Sequence, residues 1–259
     1  PKLYTLVCEL LVDDLPVDQT TVRFGMREFT VKDQRFHLNN RPVLVKAVLH
    51  QPDYARSLVA PESEALARRE LELAKEAGFN MIRLHIKTAP EITLDLADEM
   101  GLLLYEEPPI GWIKNSPHMR DRCLREVREM VLRDRNHPSV VIWGMLNESG
   151  NAGYVTKGGA QLIKDDLCAL ARSLDPSRVI IDDSGGVNGT REAARFMRPY
   201  RDELEPYDDL HVYQRAPVDQ PIELYYRHNG DPTKLCFLSE FGFGGMEDLG
   251  DVIEQYGDG

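Results

Sequence analysis

The chain has 259 residues, 42% of them hydrophobic and 29% charged, a balance that fits a globular protein and excludes a disordered or fibrous one. Its net charge of −12 argues against nucleic acid as a partner, because phosphate neutralisation calls for clustered Lys and Arg. A neutral or weakly charged substrate is the easier match. No apolar run reaches the roughly 18 residues of a membrane-spanning helix.

In chain order, residues 1 to 31 read as β-rich. "LYTLVCELLV" and "TTVRFGMREFTV" flank the turn-like "DDLPVDQ", and Val22, Phe24 and Met26 alternate with Arg23 and Arg27, the period-2 pattern of a strand with one buried face. This segment reads as the last hairpin of a β-sandwich domain, with residues 32–259 forming a second domain. Asn39-Asn40 suits a tight hairpin turn at positive φ. No signal-peptide pattern opens the chain. Pro1 already lies within strand-like sequence, so cytoplasm, periplasm and secretion all stay open.

From about residue 43 the rhythm becomes strand, loop, helix. Strands are predicted at 43–49, 80–86, 102–106, 140–146, 179–182, 209–213 and 236–239. Between the first two, Ala67, Leu71 and Ala74 form a helical stripe and Gly78 a stop. Pro90 opens and Gly101 closes the next helix. Ser116-Pro117 caps a third with Leu124, Val127 and Val131 on its apolar face, and Ile163, Leu167, Leu170 and Leu174 line a fourth. Alternating strands and helices imply parallel strands with right-handed crossovers. Continuously apolar strands such as "SVVIW" imply cover on both faces. The expected architecture is an α/β (β/α)₈ TIM barrel; a doubly wound sheet is the runner-up, without a G-x-G-x-x-G after the first strand. Only 19 residues follow Glu240, too few for the last helix, strand and helix, so the barrel is expected to be truncated near its eighth unit and the chain to be a piece of a longer protein. Cys8, Cys123, Cys168 and Cys236 show no C-x-x-C spacing and are expected to be small buried hydrophobes.

In such a barrel, chemistry gathers at the C-terminal ends of the strands. Those ends carry His50, Arg83, His85, Glu106, Glu107, Asn147, Glu148, Asp182, Asp183, His211, Tyr213 and Glu240. Isolated polar residues at strand ends merely mark the exit from the core, but a ring of them is costly unless its members pair or work. Glu148 and Glu240 stand three strands apart and so face each other across the mouth. Glycosidic hydrolysis requires such a pair, one carboxyl protonating the leaving oxygen and the other stabilising or attacking the oxocarbenium centre.

"FGMREF", "FHLNNRPVLVKAVLH", "AKEAGFNMIRLH", "LADEMGLLLYEE", "RDRNHPSVVIWGMLNES" and "LSEFG" resemble, in that order, glycoside hydrolase family 2, which includes β-galactosidases, β-glucuronidases and β-mannosidases. The resemblance covers roughly residues 20 to 245. It implies a retaining exo-acting β-glycosidase, with β-sandwich domains before the barrel and the N-terminal hairpin as the end of an immunoglobulin-like one. It further implies Glu148 as general acid/base, Glu240 as nucleophile, Asn147 on the substrate 2-hydroxyl, and Arg83 and Tyr213 hydrogen-bonded to the nucleophile. His50, His85 and His211 are candidate contacts to the sugar. The partners are then a carbohydrate substrate and further β-sandwich domains of the same chain, a homo-oligomer staying open; no metal or cofactor is called for.

Departures from the family pattern fall at His85-Ile86-Lys87 and at Glu106-Glu107-Pro108-Pro109. Lys87 is expected to pair with Glu106 or Glu107 at the rim rather than meet a uronate. His137 is expected at the barrel's bottom in a structural role. Two alternatives remain: a metal-dependent barrel hydrolase using His50, His85, His211 and Asp182, and an inactive carbohydrate-binding relative. One tension is internal to the motif. Adjacent strand residues point oppositely, yet Asn147 and Glu148 must both face the site, so regular pairing should break between Leu146 and Glu148.

Overall fold

A computed structural model describes residues 1–111, 113, 116–149, 159–185, 207–213, 220 and 233–242. Strands β1 (Leu3–Val12) and β2 (Leu15–Gly25) form an antiparallel hairpin. Its turn is only Asp13-Asp14, both at positive φ, as a two-residue hairpin turn demands. The longer turn read as "DDLPVDQ" is therefore corrected: Leu15 to Gln19 belong to the ladder, and Pro16 is admitted where the register shifts at Leu10/Leu11. "TTVRFGMREFTV" is likewise not one strand. It breaks after Gly25, where a Cβ would lie 2.7 Å from the Pro138 side chain, so only glycine lets the hairpin close on the barrel.

A three-stranded antiparallel sheet follows, β3 (Phe29–Lys32), β4 (Arg35–Leu38) and β5 (Arg41–Val43). Asp33-Gln34 and Asn39-Asn40 turn its corners at positive φ. Phe29 stacks on Phe36 at 5.2 Å, and Phe36 meets Phe237 edge-on at 5.2 Å. These rings seat the small sheet against Tyr105, Ile142 and Ile181 of the barrel interior.

The barrel strands are β6 (Ala47–His50), β7 (Met81–Leu84), β8 (Leu103–Glu106), β9 (Val140–Asn147) and β10 (Val179–Ser184), hydrogen-bonded in chain order and all parallel. A parallel pair, β11 (Tyr207–His211) and β12 (Leu235–Glu240), continues the series. The Tyr207 hydroxyl donates to the Ile180 carbonyl at 2.5 Å, tying the pair to β10. The first barrel strand starts later than the predicted 43–49, because Val43 completes β5 instead.

Helices α1 (Glu64–Glu76), α2 (Glu91–Met100), α3 (Met119–Asp134) and α4 (Gly159–Leu174) alternate with these strands. Ala67, Leu71 and Ala74 are the buried stripe of α1, and Ser63 caps it by accepting from the Leu66 amide at 3.1 Å. Gly101 ends α2 in the left-handed region. α3 begins at Met119, after a turn in which the Met119 amide bonds the Ser116 carbonyl, rather than directly on Ser116-Pro117. Cys123 and Cys168 are buried, but Cys8 and Cys236 are exposed, which corrects the expectation that all four are buried.

The "RDRNHPSV" segment ahead of β9 is a clamp. Asp98, 2% exposed, accepts from the Ser139 amide at 2.9 Å and contacts His137 Nδ1 at 2.7 Å. Arg27 donates to the Pro138 and Val140 carbonyls, and Arg178 to those of Arg135, His137 and Val140. These bonds satisfy a loop that would otherwise bury bare carbonyls, and they place His137 at the end of the barrel away from the strand tips.

Glu106 has no exposed surface. Its Oε1 accepts from the Ala89 amide at 2.7 Å, and Oε2 has no hydrogen-bond partner among the described residues. Burial, and then the neighbouring Asp134 carboxylate, hold its acid well above the ordinary carboxylate range. The folded protein therefore keeps this proton where the unfolded chain has lost it, and stability falls as pH rises above the unfolded value of about 4.3. Glu106→Gln, which keeps the acceptor without the charge, should match the parent near pH 4 and exceed it in Tm increasingly toward pH 8. Parallel Tm–pH curves for the two proteins would refute this.

Candidate active site

The apolar run of β9 ends at Asn147, and the next residue, Glu148, takes φ +49°, a conformation uncommon for a residue with a Cβ. The Glu148 amide still bonds the Ser184 carbonyl at 2.7 Å. This switch of backbone resolves the alternation problem. Asn147 Oδ1 accepts from Arg83 Nη2 at 2.6 Å, while Glu148 Oε1 lies 2.7 Å from His211 Nδ1, so both side chains reach the same mouth. Behind them, Asp183 accepts from the Ser149 amide and hydroxyl at 3.1 and 2.7 Å, which fixes the chain where it leaves the strand.

Arg83, on β7, is 1% exposed. Its Nε and Nη2 grip Glu107 Oε1 at 2.9 and 2.7 Å, Nη1 donates to Glu240 Oε1 at 2.7 Å, and Nη2 serves Asn147. Tyr105 lies beneath, its ring centroid 5.0 Å from the guanidinium carbon. Coulombic attraction from Glu107, Tyr105, Glu240 and Asp209 outweighs burial and raises the guanidinium pKa. Room for Tyr105 and Glu107 exists because β9 carries Gly144, where a Cβ would come within 2.6 and 2.8 Å of them. Glu107 Oε2 also accepts from the Ile86 amide at 2.7 Å. That amide is aimed inward by φ +53° at Ile86, a strained state for a β-branched residue.

Glu240, at the end of β12, accepts from Arg83 and, through Oε2, from the Tyr213 hydroxyl. Burial and the carboxylate together push the Tyr213 phenol pKa up, so it remains a donor. His85 Nε2 stands 3.8 Å from Glu240 Oε1, and its Nδ1 meets Gln51 Nε2 at 3.1 Å. Burial lowers the His85 pKa. One ligand-type atom each from Glu148, His211 and Glu240 lies within 4.8 Å of the others, so the two carboxylates lie close together at the mouth.

The predicted ring is thus only partly a mouth. Glu148, Glu240, Asn147, Arg83, Tyr213 and His85 converge, but His211 has no exposed side-chain surface and lies under Glu148 rather than open to a sugar. His50 turns outward, its Nε2 3.7 Å from Glu70 of α1. Lys87 pairs with Asp53 and the Pro52 carbonyl, not with Glu106 or Glu107, because both glutamates are buried and Glu107 is held by Arg83 and the Ile86 amide. Asp182 pairs with Lys164 of α4 at 2.7 Å. With Asp182 and His50 turned away, the metal set weighed from the sequence does not assemble. Ser184 and Asp209 were not singled out in the sequence; the two-residue spacing of Asp209 and His211 on β11 was the available signal.

Residues 29–257 match the family model described as "Glycosyl hydrolases family 2, TIM barrel domain". The chain belongs to glycoside hydrolase family 2. A putative beta-glucuronidase of Formosa agariphila is 28% identical over 212 residues, which are 76% of this chain and 19% of that protein. A beta-galactosidase of Photobacterium profundum is 29% identical over 249 residues, 91% of this chain and 22% of that protein. The chain therefore spans about a fifth of the length of these curated relatives. Among solved structures, a beta-glucuronidase of Parabacteroides merdae superposes with a TM-score of 0.61 at 32% identity, covering 70% of this chain and 23% of that one. A family 2 beta-galacturonidase of Eisenbergiella tayi, bound to galacturonate, gives a TM-score of 0.77 at 26% identity, covering 95% and 44%.

Within this family 2 barrel the Arg83 cluster makes a specific demand on side-chain shape. Lysine offers one point charge where Arg83 offers a planar fork with five donors. Arg83→Lys keeps the charge but should leave Glu107 under-satisfied and cost about 1–3 kcal/mol of stability, read by chemical denaturation. A loss below about 1 kcal/mol, the range of an exposed ion pair, would show that the cluster is not the support described.

Proposed function

We propose that this barrel hydrolyses terminal β-glycosides with retention, Glu148 serving as general acid/base and Glu240 as nucleophile. The observation that supports it is the facing of the two carboxylates, with ligand-type oxygens within 4.8 Å and dissimilar partners. Retaining sites hold their carboxyls about 5–5.5 Å apart, inverting sites about 6.5–9.5 Å. Glu240 accepts from a guanidinium and a phenol, the setting of an anionic nucleophile; Glu148 faces an imidazole, a setting in which a carboxyl can alternate between acid and base. Glu240 attacks the anomeric carbon while Glu148 passes its proton to the leaving oxygen. Glu148 then takes a proton from the water that releases the sugar. Asn147, fixed by Arg83, is placed to bond the 2-hydroxyl, a contact that strengthens at the transition state.

The family relatives carry both neutral-sugar and uronide names, so the sugar is to be found by assaying the full-length protein on aryl β-galactoside, glucuronide, galacturonide, mannoside, glucoside and arabinoside. On the best of these, a 2-deoxy-2-fluoro analogue should label Glu240 covalently, as read by peptide mass. Glu148→Gln and Glu240→Gln should each lower kcat/KM by at least about 10²-fold, the lower range for a general acid–base group. Labelling elsewhere, or an anomerically inverted product by NMR, would refute the assignment. Activity abolished by exhaustive EDTA treatment would favour metal-dependent hydrolysis instead.

A further inference from the structure

His211 is buried against Glu148 and has no counterpart in the two-carboxylate scheme. Its ring lies at a break in regular structure: the β11–β12 register shifts between Leu210 and His211, and the Val212 amide bonds the Glu240 carbonyl at 3.0 Å. The space it fills exists because residue 185 is glycine. Gly185 has φ +65°, and a Cβ there would lie 2.1 Å from His211 Nδ1 and 2.3 Å from Cγ. The ring is held on both edges. Nδ1 faces Glu148 Oε1 at 2.7 Å; Nε2 meets Ser184 Oγ at 3.0 Å and Arg83 Nη1 at 3.3 Å, with Glu240 Oε1 at 3.3 Å and Asp209 Oδ1 at 3.9 Å. Ser184 and Ser239 are anchored in turn on Asp209 Oδ1 at 3.1 and 2.5 Å, and the Gly185 amide donates to the same oxygen at 2.7 Å.

The ionised Glu148 carboxylate can only accept, so the 2.7 Å contact of its Oε1 puts a ring proton on Nδ1. We infer that His211 is a positioning residue for Glu148: its Nδ1–H donates to Oε1 in both halves of the reaction and confines proton exchange to Oε2. An acid's carbonyl oxygen and a carboxylate oxygen both accept, so this bond survives the change of protonation. The proton leaves Oε2 for the leaving oxygen in the first half and returns to Oε2 from water in the second. This inference rests on the acid/base role proposed for Glu148, and it adds a residue whose side chain has no exposed surface.

The test uses kcat/KM of the full-length enzyme, which reports the first chemical half, on two glycosides of the preferred sugar. A 2,4-dinitrophenyl glycoside leaves without proton assistance; a methyl or unsubstituted phenyl glycoside needs it. His211→Leu keeps the ring's approximate volume but not its donor. His211→Asn puts an amide N–H close to the Nδ1 position. The expected result is that His211→Leu loses at least about tenfold more kcat/KM on the poor leaving group than on the dinitrophenyl one, and that His211→Asn recovers most of that difference. A merely structural histidine would depress both substrates alike. Equal losses on the two, or a leaving-group dependence unchanged from the parent, overturns the inference even if Glu148→Gln behaves as an acid/base variant should. Absence of turnover by the unmodified enzyme would instead overturn the glycosidase reading, and this inference with it.

Discussion

A buried guanidinium must find an acceptor for its N–H groups or pay the cost of desolvation unrelieved, and the mouth of this barrel is organised around that requirement at Arg83. Its acceptors come from three different elements: Glu107 after β8, Asn147 at the end of β9, and Glu240 at the end of β12. One planar group on β7 thus ties the tips of β8 and β9 to that of β12, which among the described residues no backbone ladder joins to them. The same bonds that relieve the charge set the geometry of the site. Stability and chemistry are coupled here through shared hydrogen bonds.

Two glycines make that arrangement sterically feasible. Gly144 lets Tyr105 and Glu107 pass beside β9, and Gly185 lets the His211 ring lie against Glu148. In both places a methyl group would intrude on a side chain packed at the mouth, Tyr105 and Glu107 in one case and His211 in the other. Backbone strain is concentrated at the same level of the barrel, at Ile86 and at Glu148. Each strained residue aims a polar group inward: the Ile86 amide at Glu107, and the Glu148 carboxyl at the mouth. Strain of this kind persists only where the surroundings over-determine it, as the clamp of Asp183 on Ser149 and of Arg83 on Glu107 does.

The opposite end of the barrel is built from equally polar sequence with another purpose. Asp98, Arg27 and Arg178 satisfy the loop before β9, so the long motif "RDRNHPSVVIWGMLNES" divides into two parts. Its first half is a clamp that sets where β9 starts, and its second half carries the polar groups that reach the mouth. A motif recognisable as one string is therefore two structures joined by a buried stave.

The amino-acid sequence by itself determined the strand and helix rhythm, because burial on one or both faces imposes periods that apolar residues must follow. The order of polar residues at the strand tips was legible for the same reason: Glu148, Glu240, Asn147, Arg83 and Tyr213 sit where the apolar runs stop. Direction was not legible. His50 and Asp182 occupy strand tips as His85 and Asn147 do, yet they turn to Glu70 and Lys164 on the helices, since partner choice depends on neighbours distant in the chain. Lys87 found Asp53 because Glu106 and Glu107 lie buried within the core. His211, a candidate sugar contact, went beneath Glu148 instead, because the space that admits its ring is opened by Gly185 just after β10. Local pattern sets which residues reach the mouth; three-dimensional packing decides what each one touches there, because hydrogen-bond satisfaction and close packing are settled jointly by all the elements that meet.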